Sequence, residues 1–100
     1  MRRIAAGLCC LFLLAHVASA QTETPEQQAL RLLKVGRELF DRGDFKGALS
    51  QFEAAYDKTR SWKLLIYIGV AQNRANLYCD ALASLQRYLE QGGDAVSYTH

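Results

Sequence analysis

An offset of 33 positions organises this chain: it lays Gly36 on Gly69, Phe45 on Tyr78, Ala48-Leu49 on Ala81-Leu82 and Phe52 on Leu85. Identity between the two copies is poor, yet small residues meet small and large meet large. A repeat of about this length corresponds to one supersecondary unit, and such units bury a continuous core only by stacking on one another. The small positions make physical sense in paired helices. A glycine on one helix and an alanine on its neighbour let two backbones approach, and large side chains one turn away fill the groove.

Each copy divides into two helices. Thr24-Pro25-Glu26-Gln27 carries three agreeing start signals: a capping hydroxyl, a proline where its missing N–H costs nothing, and a glutamine that closes a capping box. Ala29, Leu32, Leu33, Gly36, Leu39 and Phe40 then recur at helical spacing. Gly43 accepts the positive φ of a helix end, and Asp44 caps a second helix bearing Phe45, Ala48, Leu49, Phe52, Ala55 and Tyr56. Ser61 is the expected cap of a third helix, with Trp62, Leu65, Ile66, Gly69 and Val70 on its apolar side. Asn76 or Leu77 makes the next turn, and Tyr78, Ala81, Leu82, Leu85, Tyr88 and Leu89 line a fourth helix that stops at Gly92-Gly93. No stretch alternates with period two for long enough to argue a sheet, so the expectation is all-α.

The first twenty residues read as an export signal instead of part of the fold. Arg2 and Arg3 supply a positive end, Ile4 to Val17 is apolar apart from Gly7 and His16, and Ala18-Ser19-Ala20 offers small residues for cleavage before Gln21. The apolar run is shorter than the ~20 residues a bilayer span needs, so no stable membrane span is expected after cleavage. Residues 21–25 form a short linker and helix cap. Arg2 and Arg3 also account for the whole formal charge of +2, leaving ten Lys and Arg against ten Asp and Glu from Gln21 onward. That balance argues against a nucleic-acid binder, which needs a clustered cationic excess. Of three cysteines only Cys79 survives the cut, so no internal disulfide is expected.

Enzymatic patterns are lacking. His16 leaves with the signal and His100 is the last residue, which removes any histidine-based catalytic pair or metal site. Neither a glycine-rich phosphate loop nor a paired-cysteine metal motif occurs. No catalytic, cofactor-binding or metal-ligating residue is assigned, and no enzymatic activity is expected.

Gly36, Leu39, Gly43, Phe45, Ala48, Phe52 and Ala55 in the first copy, with Gly69, Tyr78, Ala81 and Leu85 in the second, resemble the tetratricopeptide repeat (TPR) family. The resemblance spans about residues 26–91, as two units of about 26–60 and 61–91. It implies two antiparallel helix hairpins in a short right-handed α-solenoid, with Gly36, Ala48, Phe52, Ala55, Gly69, Tyr78, Ala81 and Leu85 as packing residues. The chain departs from the pattern in three ways. Arg60 replaces the proline usual near the end of the second helix. Tyr88 stands where a small residue is usual. Gln72 and Asn73 occupy apolar or aromatic places.

In that family the first helices of successive units line a concave groove for peptides or partner helices. Carried over, the groove positions are Leu33, Arg37, Phe40 and Asp41, then Lys63, Ile66, Val70, Asn73 and Arg74. Apolar side chains mixed with Arg37, Lys63 and Arg74 suit an extended peptide carrying an acidic group. The lysine and asparagine with which some members clamp a carboxylate are absent, since Leu33 and Arg37 stand in their places. The implied role is a non-catalytic protein-interaction scaffold of a bacterial periplasm or envelope, or a secreted one. Two alternatives stay open: a docking module of a larger enzyme or wall-binding protein, and a self-associating module using Trp62, Tyr88 or Leu89. Residues 92–100 form a tail, and Val96-Ser97-Tyr98-Thr99-His100 resembles a translated sequencing-adapter end. With two units where three or so are usual, the expectation is that the natural protein continues beyond about Ala95.

Overall fold

Thr24 begins the ordered architecture as its residues dictate. Its hydroxyl accepts from the Gln27 amide at 3.2 Å, and its own amide donates to Gln27 Oε1 at 3.0 Å, with Pro25 in the first turn. The computed structural model describes residues 22–92; the expected signal segment and the tail beyond Gly92 lie outside them. Within these residues the chain is all-α, with four helices and no strand: α1 (Pro25–Asp41), α2 (Phe45–Thr59), α3 (Leu64–Arg74) and α4 (Tyr78–Gln91). Each helix packs on the next in sequence.

The turns inside the two hairpins repeat as the residues do. Gly43 has φ 84° and Asn76, 33 positions on, has φ 66°; both reverse the chain through the left-handed region, where glycine and asparagine are tolerated best. Asp44 caps α2 by accepting from the Gly47 amide at 2.9 Å. Leu77 takes the same place before α4 with a similar backbone but no capping side chain. Between the hairpins the chain turns at Arg60, whose φ of 54° is one that proline cannot reach.

The two glycines sit where helices touch. A Cβ on Gly36 would lie 2.5 Å from Cε1 of Phe52, and one on Gly69 would lie 2.7 Å from Cδ2 of Leu85. Ala48, Ala55, Ala71 and Ala81 are buried beside these contacts, and the core continues through Phe52, Tyr56, Leu64, Leu65 and Ile68. Phe40 meets Phe45 edge-on at 5.0 Å across the first turn. The contacts Gly36–Phe52 and Phe40–Phe45 run in opposite directions along α1 and α2, which makes the pair antiparallel. Gly69–Leu85 and Gln72–Ser84 do the same for α3 and α4.

Four expectations are corrected. Ser61 does not cap the third helix: α3 starts at Leu64 after a turn closed by the Leu64 amide on the Ser61 carbonyl, and Lys63 holds the cap position. Trp62 therefore precedes the helix and packs on Tyr88, ring centres 5.2 Å apart, where an Ala55-like residue would leave space. The buried side of α3 is Leu64, Leu65, Ile68, Gly69 and Ala71, while Ile66 is only partly buried and Val70 is exposed. The cause is that α3 touches both α2 and α4, so two of its sides are covered. Finally, Tyr78 was expected to pack and is exposed, together with Leu82 and Leu89.

Candidate functional site

α1 and α3, the first helices of the two hairpins, face each other across Phe52 of α2. Between them lies a cleft of about 420 Å³ lined by Arg37, Phe40 and Asp41 from α1, Phe52 from α2, and Ile66, Tyr67 and Val70 from α3. The spacing explains the set. Arg37, Phe40 and Asp41 stand three and four apart on α1, and Ile66 and Val70 stand four apart on α3, so each group shares one helix face. Phe52, buried by the close approach to Gly36, forms the base, with Tyr67 tilted against it at 5.5 Å. The result is an apolar floor between one exposed guanidinium and one exposed carboxylate.

Five of the nine groove positions named from the sequence thus come together: Arg37, Phe40, Asp41, Ile66 and Val70. Leu33 lies on an adjoining hollow of about 350 Å³ with Leu30, Lys34, Glu38 and, again, Arg37 and Asp41. Arg74 does not line the cleft. Its guanidinium carbon stands 6.0 Å from the Phe40 ring centre and 5.9 Å from that of Phe45, a cation–π position that spans the two hairpins. Lys63 and Asn73 are exposed at the two ends of α3 and do not line the cleft. Sequence reasoning missed Phe52 and Tyr67 as lining residues. Tyr67 stands three before Val70 and four after Lys63, a spacing that places it on the same face.

A second hollow, of about 310 Å³, lies among α2, α3 and α4. Four of its polar side chains are engaged with one another. Arg87 Nη2 donates to the Tyr56 hydroxyl at 3.0 Å, and Ser84 donates to Gln72 Oε1 at 2.6 Å. The guanidinium carbons of Arg60 and Arg87 lie 5.2 and 5.7 Å from the Tyr56 ring centre. Partial burial raises the Glu53 carboxyl above its ordinary range, and the carboxylates of Asp57 and Asp80 add to that. The Arg87–Tyr56 and Ser84–Gln72 bonds tie helices together, whereas the α1–α3 cleft presents side chains without such mutual hydrogen bonds. The cleft is the candidate site.

Among the described residues no helix is long and apolar enough to cross a membrane, and no three His, Cys, Asp or Glu side chains gather to hold a metal ion. Comparisons with family models, curated proteins and solved structures give no match. Chemistry must therefore be argued from the cleft itself.

Proposed function

We propose that the two hairpins are tetratricopeptide-type units stacked as a short right-handed solenoid, and that the α1–α3 cleft holds a peptide or partner helix as a non-catalytic scaffold. The observation that carries the proposal is the cleft. Two helices equivalent under the 33-residue offset supply its walls, as a repeat-built groove requires. Phe40, Ile66, Tyr67 and Val70 suit apolar side chains of a guest, and Arg37 at the rim suits a carboxylate. The apolar run and small-residue site of the first twenty residues support export. The scaffold would then work in a bacterial periplasm or envelope, or outside the cell.

The test is a displayed library of random peptides panned against the full chain. The expected outcome is a shared motif combining apolar residues with an acidic group. Its affinity should fall about tenfold or more with Arg37→Glu and with Val70→Glu, the scale of one charge-assisted hydrogen bond or one clashing charge. Enriched peptides without a common motif, or peptides that bind both variants as well as the native chain, would overturn the proposal.

A further inference from the structure

The charges of α1 divide along its length. At its start Arg31 holds Glu23 through two hydrogen bonds of 3.1 Å. Further on, Lys34, Arg37, Glu38 and Asp41 are exposed, and among the described residues their side chains make no ion pair or hydrogen bond. Lys34–Glu38 and Arg37–Asp41 each stand four apart with the base first, the less favourable order on a helix. The two cations therefore lie one turn nearer the N-terminus of α1 than the two anions. Two hollows share these charges. The cleft of about 420 Å³ and the hollow of about 350 Å³ are both lined by Arg37 and Asp41, and Leu30 and Leu33 supply the apolar part of the second. Leu33 and Phe40 are seven residues apart, so the two apolar beds lie roughly 10 Å apart along the helix.

We infer that α1 selects a peptide segment carrying charges of both signs: an acidic side chain over Lys34 and Arg37, a basic one over Glu38 and Asp41, and an apolar side chain in each hollow. The inference rests on the cleft reading above and narrows it in two respects. The guest must supply a cation, and its footprint runs along α1 beyond the cleft to Leu30. Charge complementarity decides the occupant. A purely acidic guest would satisfy Arg37 but set like charge against Glu38 and Asp41. An uncharged one would strip water from all four charges and return nothing. A guest with an acid and a base in the order opposite to that of α1 meets each charge with its counterpart, and the less favourable order within α1 leaves those charges free to receive it. Asp41 and Leu30 are then the residues that set specificity, where Arg37 alone would accept any carboxylate.

Panning the random peptide library against the native chain and against its Asp41→Lys, Arg37→Glu and Leu30→Ser variants tests it. All three positions are exposed, Leu30 by 67%, and circular dichroism checks that helix content is kept. Should Asp41→Lys lose it, Glu38→Lys serves instead, with the same outcome expected. The native chain is expected to select an acid and a base between two apolar residues. Asp41→Lys should remove the base from the motif, Arg37→Glu should remove the acid, and Leu30→Ser should remove one apolar residue alone. A synthetic peptide of the native motif should bind Asp41→Lys about fivefold or more weakly, the scale of one exposed ion pair lost. A native motif without a base, or with a base that Asp41→Lys leaves in place, overturns this inference and leaves the cleft reading standing. So does a motif indifferent to Leu30→Ser. No motif at all overturns both. Light scattering that finds the native chain dimeric and Asp41→Lys monomeric also overturns the inference, because the occupant would be a second copy.

Discussion

In the first hairpin the Phe52 ring covers Gly36, Leu39 stands on the inner side of α1, and Asp44 caps the second helix. In the second hairpin Leu85 covers Gly69, Gln72 replaces Leu39 and bonds Ser84, and Leu77 leaves the second helix without a side-chain cap. Ala55 in one becomes Tyr88 in the other, and the extra bulk is met by Trp62 from the inter-hairpin turn. What persists is a glycine on one helix with a large side chain over it, 16 positions on in both copies. What varies is how the rest of the interface is filled and whether its polar groups are paired. The close approach sets the geometry of a hairpin, and the surrounding side chains are exchangeable as long as volume is filled and buried polar groups are bonded.

If the first hairpin is the tighter of the two, truncation should show it. Phe52→Ala is expected to cost about 3–5 kcal/mol in urea unfolding. Leu85→Ala, at a side chain only partly buried, should cost less than about 2 kcal/mol, the lower end of the range for fully buried leucines. Equal costs would break the contrast. Next in size, Asp44→Ala removes the cap of α2 and should cost about 1 kcal/mol, whereas Leu77→Ala has no cap to lose and should leave α4 start unaltered by amide exchange. The smallest effect concerns Glu53. Its carboxyl titrates higher in the folded chain than in the unfolded one, through burial and then through Asp57 and Asp80. Ionisation therefore opposes folding above the raised pKa, and the penalty fades as pH falls through it. Glu53→Gln should raise the melting temperature slightly at pH 7, with the gain vanishing at mildly acidic pH. A gain that grows on acidification would contradict the assigned direction.

Much of this fold can be read from local chemistry. Thr24, Pro25 and Gln27 mark the start of α1, Gly43 and Asn76 mark the hairpin turns, and Asp44 marks the start of α2, because each acts on backbone groups within a few residues. That Gly36 and Gly69 sit at helix contacts was legible because the repeat states it twice, but the side chains over them are Phe52 and Leu85 and not the alanines expected opposite. The start of α3 was not legible, since Arg60 in a left-handed conformation shifts the chain into a turn and no side chain then caps the helix. Arg87 on the Tyr56 hydroxyl joins residues 31 apart on different hairpins, and no local pattern encodes that pair. The Gln72–Ser84 bond did leave a trace. Gln72 is polar where the first copy holds Leu39, and it bonds Ser84, whose position is polar in both copies. The cleft was half legible: Arg37, Phe40, Asp41, Ile66 and Val70 were named through the resemblance to the tetratricopeptide pattern, but Phe52 enters from a third helix.

The contact between Gly36 and Phe52 can be tested by exchanging their bulk. Gly36→Leu alone should cost about 1–3 kcal/mol through overpacking, and Phe52→Ala leaves a space in the same place. Urea unfolding of both single variants and of the double variant, in a stabilising osmolyte so that all three fold, gives their coupling. If the two side chains share one volume, the double variant will be more stable than the sum of the single losses predicts, by about 1 kcal/mol or more. Losses that simply add would mean that the glycine and the ring do not meet.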